Sequence, residues 1–188
     1  MTDRKQTKKP CLSRRELLVA GGVTMSTVML SIPGVAWGQR VPARVARYPR
    51  KKVARLRDVR EGVPIAFKYP ADAPYHCASF LVKLGAPAGG GVGPDDDIVA
   101  FNALCTHAGG PLMGQYRHEH KAIGPCPFHL TTFDLTRHGM VIAGHATQSL
   151  PQIVLEIERS SVYATGVLGL IYGTPDSFQT LSDGGRRA

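Results

Sequence analysis

Acidic side chains are scarce at the start of this chain. Its first 60 residues hold only Asp3, Glu16 and Asp58 against 15 of the 23 Lys and Arg, so the formal charge of +9 belongs to one end. Residues 61–188 carry 8 basic and 11 acidic side chains, a mildly acidic balance that removes the electrostatic case for a nucleic-acid partner. The basic run from Arg40 to Arg60 has a single aromatic, Tyr48, and no nucleic-acid-binding motif accompanies it. Cysteine is also sparse. Four are too few for a disulfide scaffold, and Cys11 precedes the folded body, leaving Cys77, Cys105 and Cys126. An odd number does not pair off into staples and favours a cofactor.

Helical periodicity is missing after residue 40, and there is no internal repeat. The stretch G-A-P-A-G-G-G-V-G-P-D-D-D (85–97) lacks the spacing and the lysine of a phosphate loop and reads as a hairpin connection, its Asp triplet as a solvated turn. What remains is a series of short runs rich in Val, Ile and Phe between turn residues: 63–68, 76–84, 97–104, 141–144, 153–157, 162–167 and 170–172. These predict an all-β body. Cys77 falls in one of these runs as a buried free thiol.

The amino terminus carries its own signal. In S-R-R-E-L-L (13–18) an arginine pair precedes a modestly apolar run to Ile32, diluted by Gly21, Gly22, Thr24, Ser26 and Thr27. That run has the length of a signal h-region and is too short and polar for a membrane span. Residues 1–38 are therefore expected to be a twin-arginine signal that exports the folded protein to the periplasm, or that anchors it to the membrane if uncleaved. Residues 39–60 follow as a basic arm or entry strand, 61–175 as the folded domain and 176–188 as a C-terminal tail.

The chemistry concentrates in two loops. C-T-H-A-G-G-P-L (105–112) supplies Cys105-x-His107, and after eighteen residues C-P-F-H-L-T-T-F-D (126–134) supplies Cys126-x-x-His129. Structural zinc accepts such ligands, but its usual finger pattern pairs the cysteines first. Type 1 copper needs one cysteine and a weak axial ligand, and the nearest methionine after Cys126 is Met140. A two-iron cluster with two cysteines on one iron and two histidines on the other uses all four groups. His118 and His120, in Y-R-H-E-H-K, read instead as an exposed charged hairpin.

These paired loops resemble those of Rieske iron-sulfur proteins. The stretches 81–94, 97–107, 144–151 and 169–173 are further similar to the small subunit of arsenite oxidase. The resemblance implies stacked antiparallel sheets with a small cluster-binding subdomain, about 104–147, inserted in a larger base. It implies a [2Fe-2S] cluster on Cys105, His107, Cys126 and His129. It also implies a heterodimer in which a large subunit, carrying a molybdenum cofactor and an iron-sulfur cluster, oxidises arsenite. This chain would then pass the electrons to a soluble cytochrome c or copper protein. Two other assignments stay open on the same residues: the Rieske subunit of a quinol-oxidising cytochrome bc-type complex, and a zinc-stabilised module without redox chemistry. An oxygenase fits less well, since it feeds a separate iron held by two histidines and a carboxylate in a much larger domain.

Family members commonly carry a disulfide where this sequence has Gly110 and Phe128. Their joint replacement implies that Phe128 fills the space over Gly110. Thr131 stands where high-potential members have a serine and can still donate a hydrogen bond to sulfur, whereas Phe133 replaces a donating tyrosine. The potential is therefore expected in the lower or middle part of the Rieske range of about −150 to +300 mV. His145, in G-H-A-T, occupies the third loop that covers such clusters and could shield the cluster, meet a partner or remain solvated.

Overall fold

The computed structural model describes residues 48–72 and 75–174. The expected signal segment, the first part of the basic arm and the C-terminal tail lie outside those residues. Ten strands run antiparallel in two sheets. Strands β1 (Lys51–Arg55), β2 (Ile65–Lys68), β3 (Ala78–Lys83), β4 (Ile98–Asn102), β9 (Gln152–Glu158) and β10 (Ser161–Leu168) form the base sheet in the order β1-β10-β9-β4-β3-β2. Between β4 and β9 the chain leaves to build a second sheet, β5 (Tyr116–Arg117), β6 (Ala122–Ile123), β7 (Thr132–Asp134) and β8 (Met140–Ala143), in sequence order. This is the expected arrangement of a small subdomain inserted in a larger base.

The base sheet curls until its edges meet. β1 and β2 stand at opposite ends of the strand order, yet Lys51 donates to the Lys68 carbonyl at 2.9 Å and pairs with Asp72. Nearby, the Tyr69 hydroxyl donates to the Pro49 carbonyl at 2.9 Å while its ring stacks on Tyr48. The curl encloses Tyr69, Leu81, Ile98, Ala100, Ile153, Leu155, Val162 and Ala164. Because side chains alternate along a strand, the intervening residues of β3 and β4 serve a second core. Phe80, Val82, Val99 and Phe101 meet Leu112, Ile123, Phe133 and Leu135 of the inserted subdomain, together with Cys105 and Cys126. Each fully buried apolar side chain there contributes about 1.5–3 kcal/mol.

The expected strands from 63–68 through 162–167 are present, with ends shifted by a few residues. The run 170–172 is not a strand: Gly169 and Gly173 take φ of +96° and +83°, and the segment between them is a turn. Lys51–Arg55 of the basic arm is an edge strand on β10. The Asp triplet is only partly solvated, since Asp97 is buried and bonds both Lys83, at 2.8 Å, and the Gly85 amide, at 3.1 Å. Cys77 is buried in a single 3-10 turn immediately before β3, where burial pushes its thiol pKa up.

Candidate metal centre

The two ligand loops share one backbone design. In the first, the Cys105 amide donates to the Gly110 carbonyl at 2.9 Å and the Gly109 amide donates back to the Cys105 carbonyl at 2.9 Å. In the second, the Cys126 amide donates to the Thr131 carbonyl at 2.8 Å and the Leu130 amide to the Cys126 carbonyl at 2.9 Å. Each ring closes through a left-handed residue, Gly109 at φ +69° and Leu130 at φ +61°. Glycine is at ease there and leucine is not, so the second loop holds Leu130 against its conformational preference. These internal bonds satisfy backbone groups that no sheet ladder reaches.

The four predicted ligands come together with their chemistry sorted by depth. Cys105 and Cys126 are each 1% exposed, whereas His107 and His129 are exposed and meet edge to face with ring centroids 4.6 Å apart. Burial raises the Cys105 thiol above its ordinary pKa, and the neighbouring Cys126 adds to the rise. Hydrogen bonds from the His107 amide and the Thr131 hydroxyl oppose it by favouring the thiolate. Among the described residues, no three His, Cys, Asp or Glu side chains are grouped as around a single metal ion. The two thiols stand at the buried end of the site and the two imidazoles at its exposed end, a donor set of the kind that holds a two-iron cluster with sulfur on one iron and nitrogen on the other.

The remaining predicted residues surround this site. A Cβ built on Gly110 would stand 2.6 Å from Cys126 Sγ and 3.1 Å from the Phe128 ring, so Phe128 does cover Gly110. Its own ring remains 56% exposed, which makes it a rim rather than a plug. Thr131 and Phe133 are both fully buried, Thr131 with its hydroxyl on Cys105 and Phe133 among the core residues that include both cysteines. His145 joins the ligand rings, stacking on His107 at 5.6 Å and 30° and lying 6.3 Å from His129. His118 and His120 do not join them. They form a 3-10 turn in which the His118 ring lies 3.3 Å from Glu61 and 3.1 Å from the Tyr116 hydroxyl, bridging to the base sheet. Burial, with Glu61 and Glu119, pushes the Tyr116 pKa up to about 12.

Two features escaped the residue pattern. Tyr172 packs on the first loop so closely that a Cβ on Gly109 would be 2.5 Å from its ring, a contact across more than sixty residues that only the fold reveals. The second was readable in the sequence: residues 104–116, 122–133 and 138–155, which include the ligand loops and the third loop, contain no Asp, Glu, Lys or Arg. The histidines thus emerge from loops without charged side chains, with Phe128 against the His129 ring and Leu130 exposed next to it in the chain.

Comparison with known proteins agrees with this geometry. The family described as "Rieske [2Fe-2S] domain" matches residues 50–154. The chain is 55% identical over 166 residues to iodate reductase subunit IdrB of Denitromonas iodatirespirans, covering 88% of this chain and 86% of the relative. It is 51% identical over 177 residues to iodate reductase subunit IdrB of Pseudomonas sp. strain SCT, covering 94% and 88%. Among solved structures, the soluble domain of Rieske protein II from Sulfolobus acidocaldarius superimposes with a TM-score of 0.60 at 24% identity, covering 69% of this chain and 83% of that one, a likeness of fold.

Proposed function

The chain belongs to the Rieske [2Fe-2S] family, and on that footing we propose that it is the electron-transfer subunit of an iodate reductase. Its cofactor is a Rieske [2Fe-2S] cluster, which when bound supplies reversible one-electron storage. Cys105 and Cys126 would hold the buried end and His107 and His129 the surface end. Thr131 orients its hydroxyl toward Cys105 sulfur, and Phe133 keeps water from the floor of the site.

The observation that carries this reading is the sorting of ligands by depth: two thiols enclosed in a core, two imidazoles in contact at an uncharged face. Such a face brings a partner chain against the histidines without a layer of charged side chains and their water between them. The partner is a large catalytic chain with a molybdenum cofactor and its own iron-sulfur cluster, as the sequence resemblance implies. Iodate reduction consumes electrons, so they travel through this subunit toward that chain, supplied by a soluble cytochrome c or copper protein in the periplasm. The names of two relatives that each cover most of the chain support iodate as the substrate.

Arsenite is the second reading, favoured by the likeness of 81–94, 97–107, 144–151 and 169–173 to the arsenite oxidase small subunit; electrons would then run outward. Purification by a tag on this subunit, followed by metal analysis of what co-purifies, decides whether a molybdenum-containing chain accompanies it. Assays of the purified complex with iodate plus a reduced dye and with arsenite plus an oxidised dye separate the two substrates. A complex active with neither overturns both.

A further inference from the structure

No covalent bond joins the two ligand loops: the three cysteines among the described residues are all free. Gly110 and Phe128 touch across the gap, but that contact is apolar and half exposed. The two hinged loops must nevertheless hold four ligands in register.

Each loop instead sends one hydrogen bond to the same third segment. From the first loop, the Thr106 hydroxyl, between two ligands in the chain, donates to the Gln148 carbonyl at 2.8 Å. From the second, the Thr131 oxygen accepts from the His145 amide at 3.2 Å, leaving its hydrogen for Cys105 sulfur. The two landing points are three residues apart, so residues 145–148 span the gap between the loops. The segment is itself held at both ends. At one, a Cβ on Gly144 would lie 2.4 Å from the Thr131 Cα, so only glycine, here at φ +96°, permits that approach. At the other, the buried Leu150 donates its amide to the Gly139 carbonyl at 2.8 Å.

We infer that residues 144–150, gripped by Thr106 and Thr131, form the tie between the two ligand loops, which makes Thr106 a positioning residue for the cofactor. This rests on the loops being the cofactor site and is independent of which substrate the assembled enzyme uses.

The test uses the cofactor-loaded protein. Thr106→Val keeps the shape of the side chain and removes its donor; Thr106→Ser keeps the donor. With a strong iron chelator in excess, loss of visible absorbance should be about threefold faster for the valine variant, as expected for one partly exposed hydrogen bond, and near wild type for the serine variant. Hydrogen exchange read by mass spectrometry should show the His145 amide less protected in Thr106→Val, although residue 106 does not touch that amide. Unchanged cluster release in Thr106→Val, a serine variant as fast as the valine one, or unaltered exchange at His145 overturns the inference.

Discussion

Gly110 lies directly against Cys126: any Cβ there would stand 2.6 Å from the ligand sulfur. Side chains do not tolerate that distance, so Gly110→Ala must displace either the thiol or the first loop. We expect the alanine variant to fold with an unchanged far-ultraviolet spectrum and to be purified with well under half the iron of the wild type. Full iron content in the variant would mean that Cys126 does not need this space.

Phe133 and Thr131 provide a tuning pair. Adding a donor with Phe133→Tyr should raise the reduction potential, and removing one with Thr131→Val should lower it. Each change is about 40–60 mV, the equivalent of about one hydrogen bond to sulfur in a one-electron couple. Redox titration of the isolated subunit checks both signs. A tyrosine variant at or below the wild-type potential would remove Phe133 from any account of tuning.

Lys83 and Asp97 bear on stability rather than on electron transfer. Asp97 is 1% exposed and its carboxylate depends on Lys83 at 2.8 Å and on the Gly85 amide. Lys83→Met strands that charge and should lower the unfolding midpoint by the equivalent of about 2 kcal/mol. The bond to Asp97 raises the Lys83 pKa. The contribution is therefore present throughout neutral pH, below the ordinary lysine value, and is lost only as pH climbs through the raised folded value. A thermal melt at pH 7 reads the penalty, and a variant as stable as wild type would refute the dependence.

The uncharged face predicts how the subunit associates. Surface ion pairs weaken as salt screens them, but apolar contacts made by Phe128 and Leu130 do not. Binding to the large chain should thus change little between about 0.05 and 0.5 M salt, where the Debye length falls from roughly 14 to 4 Å. Leu130→Asp should weaken it at least tenfold without unfolding the loop, since aspartate accepts the left-handed backbone at that position better than leucine does. A steep salt dependence measured by surface plasmon resonance would place the interface on the charged surface instead.

The sequence made the four ligands legible because each loop carries its cysteine and histidine within a few residues, a local pattern independent of tertiary structure. The contact of Phe128 with Gly110 was also readable, as two positions changed together against the family pattern. Strands β5, β6 and β7 were not: at two or three residues each they have no periodicity to detect, and they exist through the pairings of Tyr116 with Ile123 and of Ala122 with Asp134. The apolar run at 170–172 suggested a strand because composition does not reveal that two flanking glycines would turn it. The sequence put His145 in the covering loop but left its role open. Its position depends on Gly144 meeting Thr131 and on Gln148 meeting Thr106, contacts between residues 13 to 42 apart in the chain.

The central claim is that Cys105, His107, Cys126 and His129 hold one [2Fe-2S] cluster with nitrogen on one iron and sulfur on the other. Pulsed electron paramagnetic resonance of the dithionite-reduced protein, with its histidines labelled with 15N, tests it most directly. The account predicts iron and sulfide at two each per chain and hyperfine coupling to two histidine nitrogens, one of which disappears in His107→Ser. Zinc in place of iron, or a reduced-state spectrum unchanged by His107→Ser, would contradict it.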